Sequence, residues 1–305
     1  MKYNIIDLDN LPFPDVIDEP DFETLLANRK AAFIARFDSA EEQAFWTARL
    51  QFESEPIVKL LEENAYLELL LRATINERTK SVMLAFATGA DLDNLAALLG
   101  VERLLIRAED LTTNPITEAE YESDERFRTR IQMSLEKITT AGSRGSYEYH
   151  ALTASPLVKD VNVTSPTPGT VQVTLLSTVD KGIADQTLID TVKTALNAED
   201  VRPLTDTVQV QSAQVVNYQI QATLTLFPSV LESAVFELAQ SAVRKFVEKQ
   251  HELGRDITLS GIYSALHQEG VQNVRLIKPT TDLIINPNQA AYCTDIQLNV
   301  GGRDE

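Results

Sequence analysis

Between Val158 and Val210 the chain alternates in a way that leaves few folds open. Val161 and Val163 share one strand face, and Val171, Val173 and Leu175 share another, with Gln172 and Thr174 opposed. That is the period of a half-buried strand. Pro168-Gly169 between the two runs marks a tight turn. Leu188, Ile189, Val192, Ala195 and Leu196 then fall on one helical face, Pro203 ends the helical region, and Val208 and Val210 resume the alternation. The result is a packed strand–strand–helix–strand unit that contains neither cysteine nor histidine.

A second unit follows. Val216, Tyr218, Ile220, Ala222, Leu224 and Leu226 alternate strictly with polar residues, which predicts a long strand with one wet face in an antiparallel sheet. Leu231, Val235, Leu238, Ala242 and Phe246 predict an amphipathic helix, with a shorter one over Leu259–Glu269 and a strand around Val274 and Leu276. Leu283–Ile285 and Ile296–Val300 read as edge strands. The fold class expected is α+β: a helical N-terminal region followed by two strand–helix–strand modules, a duplicated plan. The expected divisions are an extended arm (1–22), a helical domain (23–106), a connector with helices (107–155), a first α+β module (156–213) and a second with C-terminal strands (214–305).

The N-terminal region is punctuated by caps. Ser39 precedes a helix over Ala40–Glu53, and Pro56 stands where a first turn tolerates proline. From Pro56 to Thr88 no breaker intervenes, so one long helix is expected, with Gly89 as its stop. Its apolar content exceeds one stripe: Leu60, Leu67, Leu71, Ile75 and Val82 keep 3–4 spacing, while Leu61, Leu69, Leu70, Met83, Leu84 and Phe86 lie off that seam. Either the helix is buried in its own domain or the seam belongs to another chain. Asp91 is expected to cap a helix over Leu92–Leu99. Arg107–Glu122, weakly patterned and holding Pro115, reads as a connector that permits a hinge. Ser123 starts a helix whose Arg126, Arg128 and Arg130 are candidate contacts to an acidic neighbour. Ser146 is expected to start the next helix.

Composition bounds the function. The 305 residues hold 27 basic and 45 acidic side chains, a net charge of −18. Such a surface repels phosphate backbones and anionic lipid, so neither nucleic acid nor membrane insertion is expected. The single Cys293 fits a reducing compartment, and no signal peptide or ~20-residue apolar span is evident.

Chemistry finds little purchase. His251-Glu252-Leu253-Gly254-Arg255 lacks the second histidine of a zinc-protease helix, and His150, His251 and His267 have no ligand spacing. Gly142-Ser143-Arg144-Gly145-Ser146 lacks the lysine of a phosphate loop. Glu41-Glu42, Glu62-Glu63 and Glu118/Glu120 are unremarkable among 45 acids. Phe45 and Trp46 read as core. No catalytic residue, cofactor or metal ligand is assigned, and no enzymatic activity is expected.

Motifs spread along the chain carry a family resemblance. They are Ile6-Asp7-Leu8 with Leu11-Pro12-Phe13-Pro14; Asp91-Leu92-Asp93-Asn94-Leu95-Ala96 with Gly100-Val101-Glu102-Arg103; Asp124-Glu125-Arg126-Phe127-Arg128 with Arg130-Ile131; Ala141-Gly142-Ser143 with Tyr147; Val158, Asp160, Val161 and Val163; Pro168-Gly169 with Val171 and Val173; and Val201-Arg202-Pro203-Leu204-Thr205-Asp206. In this order they resemble the baseplate J-like family of contractile-tailed bacteriophages. The resemblance implies a structural wedge protein of the tail baseplate, assembled in the host cytoplasm and carried in the virion. Its implied partners are copies of itself in a ring around the central hub, neighbouring wedge proteins, the hub and the first sheath layer. The alternatives are the equivalent part of a contractile bacteriocin or type VI secretion-like particle, a hydrolase with a diffuse carboxylate site, and a helical adaptor working through Pro56–Thr88.

Overall fold

The computed structural model describes residues 6–8, 11, 12, 14, 21–139 and 142–304. Most of the expected arm, 1–22, therefore lies outside the described residues. The chain divides into two compact units, Ile6–Leu98 and Leu99–Glu305.

The first unit is helical. Asp21 accepts the Thr24 N–H at 2.8 Å and starts α1 (Phe22–Ile34). Ser39 starts α2 (Ala40–Arg49): its hydroxyl accepts the Glu42 N–H and donates to the Glu42 carboxylate. Pro56 is the first residue of α3 (Pro56–Ser81). This helix stops short of the expected Thr88, at about 39 Å for ~1.5 Å per residue. Gly89, at φ +52°, opens α4 (Gly89–Ala97) instead of closing α3. Asp91 sits in the first turn of α4 and is not its cap; that position is Thr88, which makes no side-chain capping bond. Leu25, Leu26 and Ala65 form a small core between α1 and α3. Trp46 packs edge-on to Phe33 and stacks with Phe37, whereas Phe45 is exposed, contrary to the core reading.

In the second unit the supposed connector folds back on itself. β1 (Leu105–Arg107) pairs antiparallel with β2 (Glu120–Tyr121), Asp110 bridges Thr117, and the Glu122 N–H donates to the Leu104 carbonyl. The segment read as a connector is thus a folded-back hairpin whose two ends meet. Ser123 starts α5 (Asp124–Gln132), and a 3-10 turn over Ser134–Ile138 follows. The cap of α6 (Arg144–Ala154) is Ser143, with the predicted starter Ser146 already inside the helix and buried.

The two modules each hold a three-stranded mixed sheet. β3 (Val158–Thr164) runs antiparallel to β4 (Thr170–Ser177), which runs parallel to β5 (Thr207–Ser212) after the crossover helix α7 (Gln186–Leu196). Leu188, Val192 and Leu196 of α7 join Val161, Val163, Val173 and Leu175 in the first core. The second sheet has β6 (Gln214–Leu226) at its centre, antiparallel to β7 (Val271–Lys278) and parallel to β8 (Gln289–Arg303). The antiparallel expectation for β6 thus holds on one side only, because alternation along a strand is blind to its neighbours' direction. Leu283–Ile285 is not a strand; Leu283 makes an isolated bridge to Ile257.

α8 (Glu232–Gln250) and α9 (Leu259–Leu266) cover the second sheet. The buried line of α8 is Val235, Ala239 and Val243, four residues apart, which leaves Leu231 (71% exposed) and Leu238 (55% exposed) off the core. The two sheets share a mixed pattern but not a connectivity: the parallel partner of β4 is the next strand, whereas that of β6 comes after β7.

The modules are joined firmly. Asp160, on β3, accepts the Leu253 N–H and the Val161 N–H, each at 2.8 Å. Asn162 donates to the Pro287 carbonyl, and Leu176, Ala213, Leu253 and Ala290 close an apolar cluster across the joint. Gly182, at φ +100°, lies so near that a Cβ would stand 2.5 Å from Leu176 and 3.1 Å from the His251 ring.

Candidate interaction surfaces

Two of the three arginines expected to face a neighbour are committed inside the fold. Glu122, buried at the return of the β1–β2 hairpin, pairs with both Arg126 and Arg130. Arg126 also donates to the carbonyls of Val158, Leu152 and Ser155, and Arg130, 2% exposed, to the Glu102 carbonyl and the Thr153 hydroxyl. Burial pushes Arg126 below the usual arginine range, with Glu122 opposing that shift. Arg103 donates to the Glu122 carbonyl, pairs with Asp124 at 2.7 Å and covers the Phe127 ring. Surface arginines hold water; these replace water with carbonyls, so Arg126 and Arg130 are ties between elements. Arg128 is half-buried. The four-residue spacing of Glu122, Arg126 and Arg130, with Glu122 just ahead of the Ser123 cap, is the signal in the sequence that marks this tie.

Two of the motifs that carried the resemblance, those around Gly142–Tyr147 and Arg202–Asp206, meet at one joint. The Tyr147 hydroxyl donates to Asp206 at 2.9 Å, and Arg202 donates to the Asp206 carbonyl. Burial and the adjacent carboxylate hold the Tyr147 phenol well above its ordinary pKa. Gly142, at φ +68°, admits Pro203: a Cβ there would stand 2.7 Å from the proline ring. The glycine–serine string before α6 holds no open anion site, since Ser143 donates to Glu136, whose carboxylate already occupies that helix start.

The first unit presents a surface of a different kind. Val58 and Ala65 of α3 are buried, and Leu61 and Leu69 are partly so. Leu60, Leu67 (56% exposed), Leu71 (61% exposed) and Ile75 lie on the opposite side of the helix, with Val82 just past its end; all five are exposed. From Leu60 to Ile75 they run along about four turns at three-, four- and seven-residue intervals, with Asn64 in a polar slot of the same line and Arg78 in another beyond Ile75. On the flank, Glu68 is held between Arg29 at 2.5 Å and Arg72 at 2.9 Å, and both guanidiniums lower its pKa.

The remaining candidates for chemistry resolve into ordinary roles. Glu42 accepts from the Ser39 hydroxyl at the start of α2, Glu62 pairs with Lys59, and Glu120 pairs with Arg107. Among the described residues no group of three histidine, cysteine or carboxylate side chains is placed to hold a metal ion, and no helix is long and apolar enough to cross a membrane. An open groove of about 510 Å³ beside Asn217, Gln219, Lys278 and Thr281 holds no acid–base pair.

Burial lowers the pKa of both His150 and His251; the Ala291 carbonyl and Asp160 oppose this at His251, while Lys159 adds to it. A histidine depressed in the fold is protonated first in the unfolded chain. Its contribution is therefore complete above the unfolded value near 6.5 and is lost as pH falls below it. The melting temperature should drop between about pH 7.5 and about pH 5.5, and the drop should shrink in His251→Gln. An unchanged slope in that variant would remove His251 from the account.

Comparison with known proteins gives the family. Three models match in order: the baseplate J-like N-terminal domain over residues 53–110, the central domain over 139–212 and the C-terminal domain over 218–299. The chain is 47% identical over 301 residues to "Baseplate protein J" of Escherichia phage P2, covering 99% of each. A chain of the anti-feeding prophage baseplate, solved by cryo-EM, overlays with a TM-score of 0.43 at 11% identity, over 58% of this chain and 43% of that one. Matched in order by three family domains and by a relative aligned over 99% of its length, the chain belongs to the baseplate J-like family.

Proposed function

We propose that the chain is a structural protein of a contractile-tail baseplate, carried in the virion tail and without catalytic activity. The full-length identity to "Baseplate protein J" carries this reading. The finer picture is a wedge component that forms a ring around the central hub, binding copies of itself, neighbouring wedge proteins, the hub and the first sheath layer, after assembly in the host cytoplasm. The exposed seam of α3 supports it, because a rigid helix with an uncovered apolar line is the form in which helical bundles recruit partners. Several modest surfaces per copy gain strength when ring closure makes the last contacts intramolecular. The test is electron microscopy of the chain co-expressed with the tail proteins encoded beside it. Wedges or rings containing it are expected; particles that assemble and contract fully without it would overturn the proposal.

A further inference from the structure

We propose that α3 pairs with α3 of a second copy, antiparallel about a two-fold axis at Leu71. This rests on the reading of α3 as an assembly surface and names its partner. The exposed line of the 26-residue helix runs through Leu60, Asn64, Leu67 and Leu71, then Ile75 and Arg78, and ends at Val82 just beyond it. Its intervals are four, three, four, four, three and four residues, the same from either end. Its chemistry is also the same from either end: one polar residue, seven positions from Leu71 on each side, set among apolar ones. Leu60, Leu71 and Val82 recur at eleven residues, close to three turns of ~3.6, so the line runs nearly straight along the helix. An isologous contact sets one patch against its own copy, so a helix line that matches its own reverse has a second copy as its natural occupant.

Charge fixes the direction. With Leu71 on the axis, Leu60 meets Val82, Leu67 meets Ile75, and Asn64 meets Arg78. The Asn64 amide donates to the Leu60 carbonyl at 2.9 Å, which leaves its side-chain oxygen to accept from the incoming guanidinium. Glu63 completes the contact. At ~100° per residue Glu63 and Arg78 fall about 80° and about 20° to the same side of Leu71, and antiparallel copies meet flank to like flank. Neighbouring charges are matched within the helix, Glu62 to Lys59 and Glu77 to Lys80, whereas among the described residues Glu63 and Arg78 have no ion-pair partner. A parallel pair would set Arg78 against Arg78 and Glu63 against Glu63. Moving the antiparallel axis one turn, to Leu67 or Ile75, sets Leu71 against Glu63 or Arg78 against Arg72. Each copy carries a net charge of −18, so apolar contact without opposed charges is resisted.

The test uses the full chain carrying Cys293→Ser. Arg78→Glu should raise the dissociation constant read by sedimentation about a hundredfold, about tenfold for each of the two contacts turned to like charge. Adding Glu63→Arg to that variant should restore dimerisation. The two positions lie about 22 Å apart along one α3, so such a rescue can only pass between copies. Both side chains are exposed, and circular dichroism should show an unchanged fold. A mixture of Asn64→Cys chains with Arg78→Cys chains should be joined by a short bismaleimide. Either variant alone should not, since its two cysteines would stand about 21 Å apart along the pair. A monomer at every concentration, a failed rescue by Glu63→Arg, or crosslinking of either variant to itself would overturn the pairing. A chain that fails in this way yet still enters particles with its tail neighbours would refute the pairing alone and leave the baseplate reading standing.

Discussion

Replacing Glu122 with alanine should cost the second unit about 3–5 kcal/mol, the usual penalty for stripping a buried charge of its partner. Glu122 is nearly inaccessible, and its two oxygens divide between Arg126 and Arg130 while its carbonyl and carboxylate also serve Arg103 and Leu104. Removing the carboxylate leaves two guanidiniums facing each other in a dry space, held only by neutral carbonyls and a hydroxyl. Urea denaturation measures the loss directly, and the melting temperature should fall by roughly 10 °C at ~2–4 °C per kcal/mol. Glu122→Gln keeps the shape and some hydrogen bonding, so a smaller loss is expected. A loss below about 1 kcal/mol in Glu122→Ala would mean that water reaches the arginines.

Leu67→Glu with Leu71→Glu should abolish association through α3 while leaving the fold intact. Both side chains project opposite to Val58 and Ala65, so the internal packing is untouched, and glutamate is nearly as good a helix former as leucine. Surface changes of this kind move stability by about 0.5 kcal/mol or less. In a covered seam, however, each glutamate would be buried without a partner, and two of them should raise the dissociation constant at least a hundredfold. Sedimentation or pull-down with the neighbouring tail proteins reads the loss, and circular dichroism checks the fold. Raised salt should strengthen the unmutated association by screening repulsion between acidic copies. Binding that survives both glutamates would show that α3 is not the contact.

What the sequence disclosed follows its local signals. The alternation of β6, the capping serines Ser39 and Ser123 and the α7 stripe are each decided by residues a few positions apart, and each stands in the structure. The α+β class follows from them. The end of α3 did not follow, because Val82–Thr88 holds no proline or glycine, and it is the burial of Ala87 that accompanies the turn away from the helix. The Asp160 joint was hidden for a different reason: its partner Leu253 lies 93 residues away, and nothing near either residue marks the other. The burial of Arg126 and Arg130 is hidden in the sequence because charge suggests solvent, and the carboxylate that brings them inside arrives at the end of a hairpin with weak local pattern. Exposure of the α3 seam needed coordinates, since spacing alone fits an internal core and a partner equally well.

The order of the second sheet also bears on how the protein is made. The central strand β6 meets its parallel neighbour only when β8 is available, as in the Gln221–Gln297 contact across 76 residues. At about 5–20 residues per second of translation, that flank of β6 stays without its mate for about 4–15 s. Nascent chains stalled in that interval would present an apolar, unpaired ribbon, and these are the species for which chaperones and neighbouring ribosomes would compete.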